Sequence, residues 1–328
     1  MLQNKTSLQD SKNLLAYSAG VDSTALLFLL LENNIKFDIA IVNYGLRLQA
    51  KEEVAYAQSL AAKHNFECFV FEAPVISSNF EANARTIRYD FFESLIKEHS
   101  YTTLLTAHHL GDRLEWMLMQ FCRGAGCVEL SGMHATEKRE HYTLIRPLLQ
   151  LDKAELLEYL DANSIKYFLD ATNADSKYSR NEFRHNYANP LLKQYKKGIQ
   201  KSFEYLDEDV ATLIQEADTK SINSLFYFKS TTSKRSDILA IDKHLKSLGY
   251  LISASEKKLL KIDITVVVSR KYVINQEHGF VFIVPFVQGV SLEKQFKEKM
   301  RLLKIEPKLR AYLSTDTESC ETLSLLLQ

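Results

Sequence analysis

The chain has few features of a secreted or membrane protein. It contains four cysteines at irregular spacings, and no uncharged run is long enough to cross a membrane. The first residues, Met-Leu-Gln-Asn-Lys-Thr, lack the apolar core of a signal peptide. Cys122 and Cys127 are too isolated from other cysteine or histidine pairs to predict a structural zinc site. We therefore expect reduced thiols and a cytoplasmic protein.

The chain also has no net charge at pH 7. The 41 Lys and Arg residues balance 41 Asp and Glu residues, so any contact with nucleic acid must come from a local basic patch. A hydrophobic content of 46% and a charged content of 25% are typical of globular proteins rather than disordered ones. The length of 328 residues predicts about two domains.

The first half alternates between β-rich apolar runs and helical patterns. The apolar runs lie at 14–17, 38–43, 66–71 and 102–106, and the helical patterns lie at about 23–34, 51–64, 83–98 and 109–123. This alternation predicts an α/β, Rossmann-like fold, in which a parallel sheet carries helices on both faces. Ligands of such sheets bind at the carboxyl ends of the strands.

The pattern changes after residue 146. An acidic helical stretch at 204–218 predicts a linker, and the last third combines helical patterns near 239–249 and 255–261 with strands at 264–270 and 280–285. We therefore expect a first domain at 1–200, a helical linker at 201–218 and a smaller, mixed α+β domain at 219–328.

The turn after the first apolar run is the most informative stretch. Tyr17 ends the run, residues 18–23 read Ser-Ala-Gly-Val-Asp-Ser, and Thr24 opens a long apolar helix. Small side chains, hydroxyls and the positive end of a helix dipole favour a phosphate-like anion here. The stretch lacks the Gly-Lys-Ser/Thr ending of a Walker A loop. An ordinary β–α turn rich in small residues is the alternative.

A dense polar cluster follows the fourth apolar run, where His108 and His109 precede Asp112 and Glu115. The two acids are three residues apart on one helix face. There they could bind a cationic substrate group or magnesium, or accept a proton from an amine. The adjacent histidines point in different directions and do not predict a shared metal site. Acids at the start of a helix can also be plain capping residues.

Arginines at helical spacing occur twice. Arg85 and Arg88 are three residues apart, and Arg180 and Arg184 are four apart, so each pair could clamp a phosphate or a carboxylate. A further arginine, Arg47, ends the segment after the second apolar run. A solvated charged surface is the alternative for all of them.

A basic stretch extends from residue 177 to residue 201, with seven Lys or Arg residues and one acid. Its last part contains four lysines, Lys193, Lys196, Lys197 and Lys201. This composition predicts a patch that contacts RNA phosphates, with a solvated helix end as the alternative.

Together these motifs resemble the tRNA(Ile)-lysidine synthetases, which belong to the N-type ATP pyrophosphatases with a pyrophosphate (PP) loop. The resemblance covers about residues 12–200. It rests on five blocks in the family's order: Ser18–Ser23, Asn43–Arg47, Glu81–Tyr89, Thr106–Glu115, and Arg146–Leu149 continuing to Asp170–Arg184. It implies that ATP adenylates the C2 oxygen of the wobble cytidine in a tRNA(Ile) with the anticodon CAU. The ε-amine of free lysine then displaces AMP, and the resulting lysidine pairs with A instead of G.

The resemblance also implies which residues hold the nucleotide. ATP and its departing pyrophosphate would be held by the whole loop, that is, by Ser18, Ala19, Gly20, Val21, Asp22 and Ser23. Magnesium would bind to Asp22. Arg85 would lie near the reacting phosphate.

The other substrates are assigned in the same way. Asp112 and Glu115 would receive the ammonium group of lysine, and Arg180 or Arg184 would receive its carboxylate. The expected catalytic residues are thus Asp22, Arg85, Asp112 and Glu115. The tRNA would contact the C-terminal domain and four lysines, Lys193, Lys196, Lys197 and Lys201.

The chain departs from the family pattern at five positions. Glycine, histidine, aspartate, glutamine and threonine are usual where this chain has Ala19, Tyr44, Gly111, Arg113 and Trp116. The alanine raises the question of whether its φ is negative, and the glycine leaves Asp112 and Glu115 alone to hold the cation.

Two rival functions remain. One is another PP-loop enzyme, either a tRNA thiolase, whose usual paired Cys-x-x-Cys motifs are missing, or an amide-forming synthetase, whose ammonia-producing domain we do not expect here. The other is a catalytically silent tRNA-binding homologue. The intact Asp22 and Asp112 argue against this second rival.

Overall fold

A computed structural model describes residues 2–45, 49–169 and 179–327. The chain divides into two compact units, Met1–Val210 and Ala211–Gln328. The division falls within the stretch 201–218. Arg47, the polar loop at 170–176 and Lys177 lie outside the described residues.

The first unit is built on a six-stranded sheet. Its strands are β1 (Asn13–Tyr17), β2 (Phe37–Asn43), β3 (Cys68–Glu72), β4 (Thr103–Leu105), β5 (Thr136–Lys138) and β6 (Thr143–Ile145). Their order is β3-β2-β1-β4-β6-β5, and all neighbours are parallel except β5 and β6. The predicted α/β fold with a parallel sheet is confirmed. The sequence pattern does not indicate β5, whose residues Thr-Glu-Lys are polar, or β6, because no helix separates these two strands and they do not continue the strand–helix alternation.

Helices cover both faces of this sheet. They are α1 (Lys5–Gln9), α2 (Val21–Glu32), α3 (Gln49–His64), α4 (Phe80–His99), α5 (Leu110–Phe121), α6 (Cys127–Ser131), α7 (Lys153–Ala162), α8 (Ser179–Phe183) and α9 (Asn189–Leu213), with a π-helical turn at Arg184–Ala188. Helix α2 begins at Val21 rather than at Thr24, so Asp22 and Ser23 lie in its first turn. Within the described ranges, no helix has the length and apolar character needed to span a membrane.

The two faces of β1 have separate cores, because successive side chains of a strand point in opposite directions. Leu15 packs with Leu26 of α2 and Leu156 of α7. Leu14 packs on the other face with Phe92 of α4. A strand that is buried on both faces has the uninterrupted apolar run seen in the sequence.

The second unit is a five-stranded antiparallel sheet between two groups of helices. Its strands are β7 (Thr219–Ile222), β8 (Leu225–Lys229), β9 (Thr265–Val268), β10 (Tyr272–Glu277) and β11 (Phe280–Pro285), in the order β7-β8-β11-β10-β9. Helices α10 (Lys234–Ser247) and α11 (Ala254–Ile262) share a core with Phe228. The other core, around Phe282, includes α12 (Lys294–Leu302), α13 (Pro307–Leu313) and α14 (Thr317–Leu326). The predicted mixed α+β domain is confirmed, although the sequence pattern indicates only two of its strands.

Candidate active site

The candidate site lies where β1 and β4 end side by side. β1 pairs in parallel with β2 on one side and with β4 on the other, so the order of the strands reverses between β1 and β4. In an open parallel sheet, such a position forms a ligand crevice at the carboxyl ends of the strands. Helix α2 follows β1 and helix α5 follows β4, so their N-termini flank this crevice.

The backbone of the turn after β1 is left-handed at Ala19. This alanine has a φ of 57°, whereas Gly20 has a φ of −74°. The carbonyl of Ala19 accepts a hydrogen bond of 2.9 Å from the backbone N–H of Phe168, and the alanine is fully buried. These contacts hold an L-residue in a conformation that costs about 1–2 kcal/mol. The question that the sequence raises is thus answered: φ is positive here, although the residue is not glycine.

Hydroxyls and helix N–H groups line the turn. Ser23 Oγ accepts a hydrogen bond of 3.2 Å from the backbone N–H of Ser18 and lies 3.1 Å from Ser18 Oγ. Because α2 begins at Val21, its first N–H groups have no acceptor within the helix. Free N–H groups at the positive end of the helix dipole favour an anion, in agreement with the predicted phosphate-binding role.

Asp22 combines partial exposure with a buried oxygen. Its side chain is 31% exposed, but Oδ1 is buried and accepts no hydrogen bond from the described residues. Burial raises the pKa of this carboxyl, and His109 opposes part of the rise. Within the described ranges, no group of three or more His, Cys, Asp or Glu residues could hold a metal by itself. Asp22 therefore fits Mg²⁺ that is also held by substrate phosphates, since this ion commonly uses only one or two carboxylates of a protein.

His109 connects the phosphate loop with the acids of α5. The imidazole is buried, and its Nδ1 accepts a hydrogen bond of 3.0 Å from the backbone N–H of Gly111. This bond assigns the proton of the neutral ring to Nε2. Nε2 lies 3.9 Å from Asp22 Oδ2 and 3.7 Å from Asp112 Oδ2. Both carboxylates thus face the same imidazole N–H.

Asp112 and Glu115 are buried and paired with the two arginines predicted to bind lysine. Arg180 donates hydrogen bonds of 2.8 Å to Asp112 Oδ1 and 3.0 Å to Glu115 Oε2. Arg184 donates to both oxygens of Glu115, from Nε to Oε1 and from Nη2 to Oε2. All four residues form one cluster, in which the charges of the buried acids are compensated. A cationic ligand would have to replace a guanidinium there.

Burial and neighbouring charges shift the pKa values of Asp22, His108 and Asp112 away from their ordinary values. Burial raises the pKa of Asp112, but the neighbouring histidines, Arg180 and a backbone hydrogen bond outweigh it, so this pKa lies well below the usual range. Burial lowers the pKa of His108 to about 4, and nearby arginines contribute to the fall. At neutral pH, Asp112 is therefore ionised and His108 is neutral. Such separation, with the pKa of Asp22 raised, is common in catalytic sites.

Arg85 lies at the periphery of the described cluster. It is exposed on α4, and its guanidinium carbon lies 4.7 Å from the centre of the Tyr89 ring. It is close enough to lower the pKa of His108. The hydroxyl of Tyr44 donates a hydrogen bond of 2.9 Å to the carbonyl of Ala84, which ties the segment after β2 to this turn of α4. Contact of Arg85 with a phosphate stays a prediction.

The four lysines of α9 fall into two groups. Lys196 Nζ lies 2.6 Å from Glu155 Oε1 and 3.3 Å from Asp152 Oδ2, at the start of α7. The other three, Lys193, Lys197 and Lys201, are exposed and four residues apart. Lys201 pairs with Glu204 at 2.9 Å. Tyr195 has a non-helical φ of −125°, so α9 is kinked there, and only Lys197 and Lys201 share a side by helical spacing. Binding of tRNA by these lysines stays a prediction.

Comparison with known proteins identifies the family. A model of PP-loop domains matches residues 1–191. The tRNA(Ile)-lysidine synthase of Wolinella succinogenes is 46% identical to this chain over 312 residues, which are 95% of each protein. The chain belongs to the tRNA(Ile)-lysidine synthase family. The tRNA(Ile)-lysidine synthases of Helicobacter pylori and Campylobacter jejuni (strain RM1221) are 43% and 41% identical, and the matches cover 93% of this chain and 90% and 93% of theirs.

A solved structure of low sequence identity shares the fold. The U34-tRNA thiolase NcsA from Methanococcus maripaludis, with its [4Fe-4S] cluster, matches with a TM-score of 0.52 and 18% identity. The match covers 63% of this chain and 75% of the thiolase. The likeness at this identity concerns the fold alone. The predicted family and PP-loop fold are confirmed, and this chain is a PP-loop enzyme of the lysidine synthase type.

The structure explains two departures of this lysidine synthase from the family motif. A Cβ atom at Gly111 would lie 2.7 Å from Cε1 and 2.9 Å from Nδ1 of His109, so the missing side chain makes room for the imidazole. Trp116 packs against Gly132, where a Cβ atom would lie 2.5 Å from Cδ1 of the indole. The indole N–H donates a hydrogen bond of 3.1 Å to the carbonyl of Glu129. Both substitutions therefore belong to packed local structures.

The sequence patterns predict no role for His109 or Arg113. His109 stands three residues before Asp112, which is the spacing of a capping box, and the backbone N–H of His109 indeed donates to Asp112 Oδ2 at 3.1 Å. Arg113 interrupts the apolar stripe of Leu110 and Leu114, so a buried position could have been inferred from helical periodicity.

We predict that Ala19→Gly is nearly neutral for stability, whereas Ala19→Val destabilises the protein by about 2 kcal/mol or more. Glycine relieves strain of about 1–2 kcal/mol, but it loses a buried methyl group worth about 0.8 kcal/mol and adds unfolded-state entropy worth about 0.4–1 kcal/mol. A β-branched residue is strongly disfavoured at positive φ and overfills a buried site. Chemical unfolding followed by circular dichroism measures both changes.

The matched control is Ala16→Val, which places the same side chain in strand β1, where it is favoured. Equal destabilisation by Ala16→Val and Ala19→Val would contradict a special backbone requirement at the turn.

Proposed function

We propose that this chain acts in the cytoplasm and attaches L-lysine to C2 of the wobble cytidine in a tRNA(Ile) with the anticodon CAU. ATP adenylates the cytidine and leaves pyrophosphate, and the ε-amine of lysine then displaces AMP. The codon read by the tRNA changes from AUG to AUA. The observation that carries this proposal is the position of His109 Nε2, within 4 Å of carboxylates from both the phosphate loop and the acidic helix.

The phosphate loop suits the first step of this reaction. The Ser18–Ser23 turn and the N-terminus of α2 would hold the departing pyrophosphate through N–H groups, hydroxyls and the helix dipole. The buried Oδ1 of Asp22 would hold Mg²⁺ delivered with ATP. When bound, this ion neutralises charge that develops on the phosphates. Arg85 would stabilise charge on the reacting α-phosphate from the adjacent helix.

The acid and arginine cluster suits the second substrate. Lysine carries a cation and a carboxylate, and the cluster contains two acids and two arginines. The ammonium group would take the place of a guanidinium at Asp112 and Glu115, and the released Arg180 or Arg184 would bind the carboxylate. The low pKa of Asp112 keeps it ionised for this recognition. The amine must then lose a proton before it attacks.

The exposed lysines of α9 suit the third substrate. Lys193, Lys197 and Lys201 would contact phosphates of the tRNA, and the C-terminal domain would contribute further contacts. Phosphate contacts position an RNA without reading its bases, so selection of the CAU anticodon requires other groups.

We predict that the purified protein attaches labelled lysine to a tRNA(Ile) transcript with a CAU anticodon. The reaction should require ATP and Mg²⁺ and release one pyrophosphate for each lysine attached. Transcripts in which the wobble cytidine is replaced by uridine provide the control. Binding of the tRNA without incorporation of lysine would contradict the ligase proposal and favour a silent tRNA-binding protein.

Asp112→Asn should lower the rate of lysine transfer by about 10- to 100-fold more than it lowers tRNA-dependent pyrophosphate release. The amide keeps an acceptor for the N–H of His109, so the start of α5 is retained, but the charge that recognises the ammonium group is lost. Single-turnover assays with labelled ATP and labelled lysine measure the two steps separately. Asp10→Asn, at an exposed aspartate, is the matched control. Equal loss of both steps would count against a role at the amine.

Lys193→Ala combined with Lys197→Ala should weaken tRNA binding about tenfold near 0.1 M salt and should reduce the salt dependence. Each lost phosphate contact lowers the slope of log affinity against log salt by about one. Filter binding over a range of salt concentrations measures both quantities.

Two comparisons sharpen this test. Lys51→Ala with Lys63→Ala, on the exposed side of α3, should leave the slope unchanged. Lys196→Ala should mainly lower thermal stability, because its ammonium group pairs with Asp152 and Glu155. An unchanged slope in the Lys193 and Lys197 variant would remove α9 from the RNA interface.

A further inference from the structure

A buried arginine lies on the acid-bearing helix but points away from the candidate site. Arg113 follows Asp112 directly in α5, yet its side chain is only 1% exposed and makes none of the contacts of the acid cluster. Successive residues of a helix are rotated by about 100°, so an acid and the next residue contact different neighbours. The reaction proposed above does not use this guanidinium.

The guanidinium joins three helices of the first unit. Arg113 Nε donates a hydrogen bond of 3.0 Å to the carbonyl of Ser131 at the end of α6, and Nη2 donates to Ser131 Oγ at 3.3 Å. Nη2 also donates a short hydrogen bond to Asp207 Oδ1 of α9. The hydroxyl of Ser131 donates to the same carboxylate oxygen at 2.6 Å. The guanidinium carbon lies 4.3 Å from the centre of the Phe203 ring, which is also part of α9.

The contacts of Arg113 make the position of α5 depend on helices α6 and α9. A buried guanidinium that loses its carboxylate is strongly unfavourable. The helices α5, α6 and α9 must therefore keep their relative positions for the charge to remain paired. A planar group with several donors in fixed directions restrains orientation as well as distance. The same segment of α5 carries Asp112 and Glu115.

We propose that Arg113 is a positioning residue, which clamps α5 to α6 and α9 and so fixes Asp112 and Glu115 relative to the phosphate loop. The proposal rests on the proposed function, because it names a residue that acts on the lysine-binding acids. It also gives a role to one of the departures from the family motif, since the neutral side chain of glutamine cannot form an ion pair with Asp207.

The first test compares Arg113→Met with Arg139→Met, which removes a more exposed arginine of the same unit. We expect Arg113→Met to raise the KM for lysine about tenfold or more, because misplaced acids lose charged hydrogen bonds to the ammonium group. The KM for ATP should change less than about threefold, because the phosphate loop belongs to another helix. Arg113→Lys, which keeps the charge, should recover part of the lysine affinity.

A role in folding alone gives a different result. In that case, Arg113→Met lowers the active fraction determined by active-site titration, while the remaining enzyme keeps the wild-type KM for lysine. That outcome, or an equal rise of both KM values, would overturn the positioning role.

A second measurement does not depend on the enzymatic reaction. Trp116 is the single tryptophan of the chain and lies on α5; it is 43% exposed, and the shielded edge of its indole lies against Gly132, next to Ser131. Loosening of α5 from α6 should shift its emission to longer wavelength in Arg113→Met and in Asp207→Asn, but not in Arg139→Met. If the wild-type protein attached no lysine, the proposed function would fail, while this shift would still test the clamp. Unchanged emission in both variants would overturn it.

Acid titration of the same emission tests the ion pair itself. Burial raises the pKa of Asp207, but hydrogen bonds from His134, Arg113 and Ser131 outweigh it and lower the pKa to about 2. Because this pKa lies below the ordinary value, the ionised carboxylate stabilises the fold fully above about pH 4 and loses this effect as the pH falls towards 2. The change of emission between pH 4 and pH 2 should therefore be smaller in Asp207→Asn than in the wild type. An identical acid transition in both proteins would contradict the pairing.

Discussion

The hydrogen bond from the backbone N–H of Gly111 to the ring of His109 is the contact on which the candidate site depends. It folds the imidazole back over the first turn of α5 and leaves Nε2 as the N–H that faces Asp22 and Asp112. The arrangement needs a glycine at position 111, because any Cβ atom there would overlap the ring. Gly111 stands where the family usually has an aspartate. Its missing side chain makes room for the His109 imidazole, which links the phosphate loop with the acids of α5.

Charge compensation is the second constraint on this site. Asp112 and Glu115 are buried, and buried carboxylates are stable only when they are paired. Arg180 and Arg184 supply the pairing, from a short helix and a π-helical turn that precede α9. The same four side chains provide both charges needed to bind an amino acid. Substrate binding would therefore exchange one set of ion pairs for another and would not create charges in an apolar interior.

Much of this architecture could be predicted because it depends on local pattern. A strand buried on both faces must be apolar, and a packed helix must repeat its apolar residues, so β1, β2, α2 and α3 are evident from the sequence. Asp112 and Glu115 are predicted to act together because a spacing of three places both on one side of a helix, and both indeed contact Arg180. Strands β5 and β6 are not evident, because β5 is polar and β6 joins the sheet only by pairing with β4, which is distant in sequence.

The amino-acid sequence alone indicates the α/β class, the family, a small-residue loop after the first strand and an acid pair after the fourth strand. Only the tertiary structure decided which charges meet. It holds Ala19 at a positive φ, pairs Lys196 with the start of α7, and buries Arg113 against Asp207. The physical reason is that local pattern reflects hydrophobic periodicity and backbone sterics. The partner of a buried charge and the strain of a turn depend instead on residues that are distant in sequence and brought together by folding.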